Sequence, residues 1–227
     1  MKKIVLALTI VAAGVCLSAT ALADTYSFTD ISASQYGWCA PQIEEMYKAG
    51  YVNGYEDNTY RPDNQVTKLE GIALFSRVMG SNDSANSQLL DIAHEQYDSS
   101  IVQSSLSWGQ DEIVFMMYKG ALTNADLVTY INGTAKNQAM TRGEAAVIIT
   151  KAMGGNVSSS SDASSLDYTD VKDIPSNILP YVKYVSDEGI MNGMDDGSFD
   201  TNGTVTRSQI AVMLARVVEK CDYSFEN

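Results

Sequence analysis

Three basic residues follow the same helix start signal. Each comes directly after a threonine that has Glu or Gln three positions later, the capping-box pattern of a helix N-terminus; the bases are Lys68, Arg142 and Arg207. Because the helix dipole disfavours a cation there by about 0.3–1 kcal/mol, its use three times suggests a function. An anion bound there would meet the cation and free helix N–H groups, and a guanidinium could hold a carboxylate through two parallel bonds. The alternatives are that each base pairs with an acid such as Asp63 or Asp200, or is solvated.

Aromatic residues are the second group that could contact a ligand. Trp38 and Trp108 each lie twelve residues before a glycine that could end a helix. We expect both to pack in the core at the start of that helix, although they could instead stack on a sugar ring. Tyr55, Tyr60 and Phe199 lie near acidic loops, where lining a groove and ordinary turn packing are both open.

Other chemistries have weaker support. The loops beginning at Asp57 and Asp196 resemble the start of a calcium-binding EF-hand but lack its glycine at position six and glutamate at position twelve. No motif fixes a carboxylate pair for glycoside hydrolysis, and His94, the single histidine, argues against a Ser-His-Asp site and is expected at the surface. We therefore predict no enzyme activity, no metal and no cofactor. Bases nine residues into each second helix are expected to pair with acids and to cover apolar surface with their stems; they are Arg77, Lys151 and Arg216.

The composition limits the class of protein. The chain has 227 residues, with 28 acidic and 15 basic side chains, a net charge of −13 and a pI near 4.3. Nucleic-acid binding needs a basic surface, so a general nucleic-acid binder is not expected. Apolar residues make up 45% of the chain, which is typical of a globular protein.

The N-terminus has the three parts of a secretory signal peptide. Lys2 and Lys3 precede an apolar run over residues 4–17, and an Ala-Leu-Ala sequence ends at Ala23. We expect cleavage after Ala23 and export to the cell surface; losing the two lysines would take the net charge from −13 to −15. A lipoprotein anchored through Cys16 is the alternative. No other segment is apolar enough to cross a membrane.

Cys39 and Cys221 would be the cysteines of the exported chain. An even pair in an exported protein can form a disulfide, which here would close nearly the whole chain and contribute about 4–5 kcal/mol. The alternative is two unpaired thiols.

Internal repetition is the most informative feature of the chain. A constant offset of 139 relates the stretch around Gly50 to that around Gly189, from the Asn-Gly turn through the second helix. A middle copy is less regular: it opens at Leu90-Asp91-Ile92 and closes at Thr141-Arg142-Gly143-Glu144. In each copy an apolar stripe predicts a first helix that ends at a glycine, and an acidic loop leads to the second helix at Thr67, Thr141 or Thr206. Two short helices cannot bury their apolar faces alone, so we predict one all-α assembly of three copies.

The motifs together resemble the S-layer homology (SLH) repeat. Their order is aromatic-x-Asp-aliphatic, Trp, helix, Gly-x-x-Asn-Gly-Tyr, acidic turn, Tyr-Arg-Pro, Thr-Arg-x-Glu and apolar helix, and it extends from Phe28 to about Val218. The resemblance implies a pseudo-threefold bundle of three helical repeats with grooves between neighbours. It also implies an exported protein held non-covalently on the cell wall by an anionic secondary polysaccharide, often capped by pyruvylated N-acetylmannosamine.

Ligand-binding residues are carried over from the motif position by position. The motif arginine corresponds to Arg142 and Arg207, with Lys68 in the first copy. The remaining motif residues are the acids Asp30, Asp91 and Asp170, the tryptophans Trp38 and Trp108, and the turn glycines Gly54 and Gly193. Asn177 replaces the third tryptophan, Gln209 replaces the motif glutamate, and the middle copy lacks the turn glycine. Because of these departures from the motif, we do not expect the three copies to form three equivalent ligand-binding sites.

The predicted organisation has seven parts. They are a signal peptide (1–23), repeat 1 (24–80), a linker (81–88), a degenerate repeat 2 (89–154), a Ser-rich linker (155–165), repeat 3 (166–220) and a tail (221–227). The resemblance favours binding to the secondary cell-wall polysaccharide or to peptidoglycan. An adapter that uses degenerate repeats to bind another exported protein is the alternative.

Overall fold

The protein is all-α in the part of the chain that the computed structural model describes, residues 26–157 and 165–224. Its helices are α1 (Ala33–Tyr36), α2 (Ala40–Lys48), α3 (Lys68–Val78), α4 (Ser87–Ile101), α5 (Gln110–Tyr118), α6 (Asn124–Asp126), α7 (Arg142–Ala152), α8 (Leu179–Asp187) and α9 (Arg207–Ser224). The predicted signal peptide, most of the Ser-rich linker and the end of the tail lie outside the described residues. Among the described helices, none combines the length and apolarity that a bilayer span needs.

The second helices of the three copies begin as the capping pattern predicts. Thr67 and Thr141 cap α3 and α7, each accepting a hydrogen bond from the N–H of the glutamate three residues on. At α9, Thr206 Oγ1 accepts from the N–H of Gln209, and Gln209 Oε1 accepts from the N–H of Thr206. The caps satisfy N–H groups that a helix terminus otherwise leaves without partners.

A ring of three backbone hydrogen bonds joins the segments that precede these helices. The N–H of Val66 donates to Val205 O (3.0 Å), that of Val205 to Met140 O (2.9 Å), and that of Met140 to Val66 O (2.8 Å). All three side chains are buried. Each segment therefore pairs with both of the others, and α3 packs against both α7 and α9.

The first helix of each copy packs on the second helix of another copy. α2 lies on α9, α5 on α3 and α8 on α7. All three end before a glycine with positive φ, as the sequence predicts: Gly50 at 77°, Gly120 at 73° and Gly189 at 68°. The apolar faces that a single copy cannot bury are thus covered by neighbouring copies.

The middle copy differs most from the sequence expectation. The predicted linker 81–88 contains a 3₁₀ turn, Ser84–Asn86, and the start of α4. α4 packs on α5 through buried Ala93, so it is a structured insertion. Asp91 was expected to match the first-copy and third-copy motif acids, but it lies exposed on this helix. Asp30 and Asp170 instead lie in loops and accept N–H groups of another loop, as described below. A residue on helix α4 is not placed to do this, which explains the difference.

The two cysteines are not joined by a disulfide bond. Cys39 is fully buried before α2, near Tyr36, whose carbonyl accepts from its thiol at 3.5 Å. Burial, with a further effect of Asp63, raises the pKa of Cys39 to about 12. Cys221 lies near the end of α9, close to Tyr184, whose pKa is raised by burial and further by Glu188 and Cys221. The disulfide alternative is therefore not what the structure contains.

Candidate ligand-binding grooves

Two of the motif acids hold the loops that follow the Asn-Gly turns. The Asp30 carboxylate accepts from the N–H groups of Tyr60 and Arg61, both at 2.7 Å. In the third copy Asp170 accepts from the N–H groups of Phe199 and Asp200, at 2.8 and 2.9 Å. A carboxylate that accepts two backbone N–H groups fixes the path of a loop that has no regular hydrogen-bond partner. Asp30 and Asp170 thus shape the loops from outside the two grooves described below.

The turn glycines are required by close packing. A Cβ on Gly54 would overlap the ring of Phe28, and a Cβ on Gly193 would lie 2.9 Å from the ring of Tyr168 and 3.0 Å from Ser198 O. Real Cβ atoms do not approach so closely. Both glycines therefore let their loops pack against the aromatic residue of the opening motif.

The two motif arginines bond backbone carbonyls of another copy. Arg142 donates from Nε to Phe199 O and from Nη2 to Asn192 O, both at 2.7 Å. Arg207 makes the same pair of bonds, to Tyr60 O and Asn53 O, again at 2.7 Å. Burial lowers the pKa of Arg142, with Asp200 and Asp170 opposing the shift. Within the described part of the chain neither arginine pairs with an acid, and both hold loops of a neighbouring copy.

The helix N-termini are not free to receive an anion. The N–H groups of the three motif bases donate to carbonyls of other segments: Lys68 to Gln138, Arg142 to Gly203 and Arg207 to Asn64. The prediction that an anion would meet free N–H groups is therefore wrong for the first N–H of each helix, because a carbonyl of another segment already accepts from it. Any ligand must instead contact side chains along the grooves.

Lys68 differs from the two arginines. Its Nζ lies 2.7 Å from Glu144 Oε1, and its side chain is 10% exposed. A point charge cannot bridge two carbonyls as a guanidinium does, so it pairs with the capping glutamate of α7 instead. Of the alternatives to ligand binding, pairing with an acid is the one that Lys68 follows, with Glu144 as the acid.

One groove, which we call the Trp108 groove, has a volume of about 260 Å³. Its lining combines an Asn-Gly turn, the exposed face of α3, a tryptophan from the middle copy and an arginine from the third copy. The main lining residues are Asn53, Gly54, Glu70, Arg77, Trp108 and Arg207.

A second groove, the Trp38 groove, has a similar layout and a volume of about 810 Å³, and its lining also includes Asp195 and Asp196. Most of its lining is obtained by adding 139 to the residue numbers of the first groove, and the tryptophan and arginine again come from the other two copies. The main lining residues are Asn192, Gly193, Gln209, Arg216, Trp38 and Arg142. Each groove is thus built from all three copies, which explains why no single copy predicts it.

At the corresponding position in the middle copy, the charged side chains pair with one another. Thr123 caps α6, and Asp126 is buried there between two donors. Lys151, which matches Arg77, donates to both Asp126 oxygens at 2.7 and 2.9 Å. Burial raises the pKa of Asp126, but the bonds from Lys151 and Thr123 outweigh it and the net shift is downward. With Lys68 paired to Glu144 as well, both bases that could face a ligand here are neutralised.

Both tryptophans are exposed, contrary to the expectation of core packing. Trp38 is 57% exposed and Trp108 is 42% exposed, each on the edge of a groove. Tyr60 and Phe199 are instead the buried aromatics, and the guanidinium carbons of Arg207 and Arg142 lie 4.4 and 4.9 Å from their ring centres. An exposed indole beside polar side chains is suited to stacking on the apolar face of a sugar ring.

The second set of bases follows the prediction in two cases of three. Arg77 donates to Glu112 Oε1 from Nε and Nη2, at 3.0 and 2.8 Å, and Lys151 pairs with Asp126. Arg216 donates to Ile190 O at 2.9 Å, and no carboxylate of the described residues lies within ion-pair distance of it. The sequence analysis did not identify Glu112 as the partner of Arg77. The helices α2 and α5 have equal lengths and are related by an offset of 70 residues, so Glu112 occupies the position of Gln42.

The remaining candidates do not form a reactive site. His94 is part-buried, with Nδ1 2.7 Å from Asp98 Oδ1 and Nε2 3.1 Å from Asp111 Oδ1. Asp57 Oδ1 accepts from the N–H and hydroxyl of Thr59, so this loop carboxylate is already occupied. Within residues 26–157 and 165–224, no group of three or more His, Cys, Asp or Glu is arranged to hold a metal ion.

These features define a class of protein: a helical protein with two matched grooves, each lined by an Asn-Gly turn. The family model of the S-layer homology domain matches two segments of the chain, residues 27–70 and 167–211. These segments contain the turn glycines Gly54 and Gly193 and the starts of α3 and α9, which form the two grooves. The middle copy lies outside both matches, in agreement with its irregular sequence.

Three relatives share sequence with this chain. Cell surface glycoprotein 1 of Acetivibrio thermocellus is 23% identical over 180 residues, 75% of this chain and 7% of the relative. The cellulosome-anchoring protein of the same organism is 34% identical over 82 residues, 36% of this chain and 18% of the relative. The surface-layer 125 kDa protein of Lysinibacillus sphaericus is 20% identical over 197 residues, 82% of this chain and 14% of the relative. The chain spans less than a fifth of each relative. The expected cell-surface location agrees with the names of the two surface proteins.

Proposed function

We propose that this chain is an exported, non-enzymatic protein that binds non-covalently to an anionic secondary cell-wall polysaccharide, with a pyruvylated N-acetylmannosamine residue as the recognised unit. The observation that carries this proposal is the pair of matched grooves, each with an exposed tryptophan, an Asn-Gly turn and two basic side chains. An indole gives a stacking surface for a sugar, and a guanidinium gives donors for a carboxylate. The S-layer homology matches at both grooves support the same role.

The proposal includes three repeats of unequal use. Residues 24–80, 89–154 and 166–220 form the repeats, and only the first and third contribute open grooves. At the middle position the two matching bases are already neutralised by the Lys151–Asp126 and Lys68–Glu144 pairs, at 2.7 Å each. We therefore expect two ligand sites per chain.

Co-sedimentation with purified host cell walls tests this function. The exported protein is mixed with walls before and after chemical removal of the secondary polymer, together with the Trp38→Ala/Trp108→Ala variant. Both indoles are exposed, so the double variant should fold normally but lose wall binding. Val102→Ala, a change at an apolar side chain that is 72% exposed and lies outside the two grooves, is the matched control and should bind as the unaltered protein does.

The outcomes separate the candidate ligands. Binding that is lost on polymer removal and in the tryptophan variant supports the proposal. Binding that persists without the polymer indicates peptidoglycan as the ligand. If no sample sediments with walls, the wall-binding function is wrong and a protein partner becomes the better candidate. Arg142 and Arg207 are not used in this test because their loss would also disturb the loops that they hold.

A further inference from the structure

Two of the four Asn-Gly pairs in the chain line the open grooves. The four pairs begin at Asn53, Asn132, Asn192 and Asn202. Of these, Asn53 lines the Trp108 groove and Asn192 lines the Trp38 groove. An asparagine loses its side-chain amide most readily before a glycine, because the following peptide nitrogen is then not shielded by a Cβ. Each groove therefore contains a residue that can change its charge without an enzyme.

The reaction joins the peptide nitrogen of the glycine to the asparagine side chain. Hydroxide takes the proton of the Gly54 N–H, and the nitrogen attacks Cγ of Asn53. The Cγ–Nδ2 bond breaks, and the leaving group takes a proton from water to form ammonia and to regenerate hydroxide. Water then opens the succinimide ring at either carbonyl, which gives aspartate or isoaspartate. In balance, an amide and water become a carboxylate and an ammonium ion, with no oxidation or reduction.

The groove arginines favour the first step. Loss of the Gly54 proton leaves a negative charge that is shared between the peptide nitrogen and Asn53 O, and Arg207 Nη2 already donates to that oxygen at 2.7 Å. Arg142 Nη2 makes the same bond to Asn192 O, at 2.7 Å. A guanidinium stabilises the anion more than the neutral peptide. The bonds that hold the loops therefore also make these two peptide N–H groups easier to deprotonate.

The reacting groups of both groove pairs are free to react. Asn53 and Asn192 are exposed. Within the described residues, the N–H groups of Gly54 and Gly193 have no hydrogen-bond acceptor, and neither asparagine amide has a hydrogen-bond partner. A side chain at either glycine would collide with the aromatic ring of the opening motif. The packing of the loops thus requires the residue that makes each asparagine reactive.

In each of the two pairs outside the grooves, one reacting group is already bonded. The N–H of Gly203 donates to Asp200 O at 3.0 Å, which stabilises the protonated form of the nitrogen that would attack Asn202. In the middle copy, Asn132 Oδ1 accepts from Ser104 Oγ at 2.6 Å. Exposure does not explain the difference, since Asn202 is exposed as well. Asn202 is therefore the internal reference for the two groove residues.

We propose that Asn53 and Asn192 are modification sites, which deamidate through the following glycine nitrogen and so add a carboxylate to each groove. In isoaspartate the former Asn53 O belongs to a carboxylate that faces Arg207, and in aspartate the side chain carries the new charge. Either product compensates the groove arginine, so the attraction of the groove for an anionic polymer falls. This effect on binding rests on the proposed polysaccharide function, whereas the modification itself does not.

Peptide mapping of the ageing protein tests the modification. The exported protein is kept in mildly alkaline buffer, and mass spectrometry of digested samples locates each amide-to-acid exchange from fragment ions. Asn53 and Asn192 should deamidate at least about fivefold faster than Asn202, the effect of about one hydrogen bond on an activation free energy. In the chain unfolded by guanidinium chloride the three rates should become similar. Equal rates in the folded protein, or the same order of rates in the unfolded chain, would overturn the inference.

Arg207→Lys tests the contribution of the guanidinium within one molecule. An ammonium lacks the fixed fork that spans Tyr60 O and Asn53 O, so deamidation of Asn53 should slow by about threefold or more. Asn192 keeps its own arginine, Arg142, and its rate should not change. Circular dichroism melting curves establish that the variant folds. An unchanged or faster rate at Asn53 would contradict the role given to the arginine.

Wall sedimentation of fresh and aged protein tests the effect on binding. Aged protein should lose wall binding in proportion to its modification. The Asn53→Gln/Asn192→Gln variant should keep whatever binding it has when fresh, because glutamine closes the larger ring far more slowly. Asn202→Gln is the matched control and should lose binding with age as the unaltered protein does.

The outcomes of this comparison distinguish the inference from the proposed function. If modified protein binds walls as well as fresh protein does, the effect on binding is wrong and the proposed function stands. If fresh protein does not bind walls, the proposed function is wrong, and the measured rates still decide whether the groove asparagines are the modification sites.

Discussion

At the scale of single residues, the motif arginines hold loops together. Arg142 and Arg207 each bridge two carbonyls that would otherwise have no donor, and each does so in a copy other than its own. A planar guanidinium suits this task because its N–H groups have fixed directions. The residue that family resemblance associates with ligand binding therefore contributes first by shaping the groove.

Arg142→Ala should lower the free energy of unfolding by about 2–4 kcal/mol, because the carbonyls of Asn192 and Phe199 lose charge-assisted hydrogen bonds in a buried place. Urea titration followed by circular dichroism measures this change. Lys48→Ala is the control: this lysine is 71% exposed and pairs with Glu44 one turn away, so its loss should cost less than about 0.5 kcal/mol. Similar small effects of both changes would contradict a structural role for Arg142.

At the scale of elements, a histidine forms a polar contact between the inserted helix α4 and helix α5. His94 on α4 contacts Asp111 on α5 and also Asp98 on its own helix. Burial acts to lower the pKa of His94, but the two carboxylates outweigh it and the net shift is upward from 6.5. Protonated His94 therefore interacts more strongly with Asp98 and Asp111, and so stabilises the contact between α4 and α5, more than the neutral form does.

The pH dependence of stability should reveal this contact. Because the folded pKa of His94 is raised, its contribution is fully present below about pH 6.5 and is lost as the pH rises through the higher folded value. In His94→Gln the fall in unfolding free energy across this range should be smaller than in the unaltered protein. Denaturant titrations at about pH 6 and about pH 9 measure the difference. An identical pH profile for both proteins would show that the contact does not affect stability.

At the scale of the whole molecule, the copies are interlocked. The ring of hydrogen bonds among Val66, Met140 and Val205 lies at the centre, and each first helix packs on another copy's second helix. The grooves form where these copies meet. Under the proposed function, the arginines of the grooves would have to attract an anionic polymer although the chain has a net charge of −15 after the predicted cleavage at Ala23.

Binding to the wall should therefore respond weakly to salt, or improve with it. The overall field repels an anionic polymer over distances beyond about 8 Å at physiological ionic strength, and added salt screens that repulsion before it weakens short contacts in the grooves. Wall sedimentation between about 0.05 and about 0.3 M NaCl measures this response. A steep loss of binding with salt, typical of a basic polyanion binder, would contradict recognition by a few local bases.

The sequence alone determined the local structure of each copy. Capping boxes at Thr67 and Thr141 and the glycines that end α2, α5 and α8 are local signals, and each acts within a few residues of the backbone it controls. The repeat offset of 139 likewise indicated that two stretches share one plan. These features follow from backbone geometry and hydrogen bonding along the chain, so they need no knowledge of packing.

Which residues meet in the folded protein depends on packing between segments that are distant in sequence. The bonds of Arg142 to the third copy, the exposure of Trp38 and Trp108, and the pairing of Lys151 with Asp126 depend on which copy lies against which. Periodicity within one copy shows which face is buried but not what covers it, because the covering surface comes from a segment distant in sequence. For that reason the candidate residues could be named from the sequence, whereas the two grooves became visible only in the packing of segments that are distant in sequence.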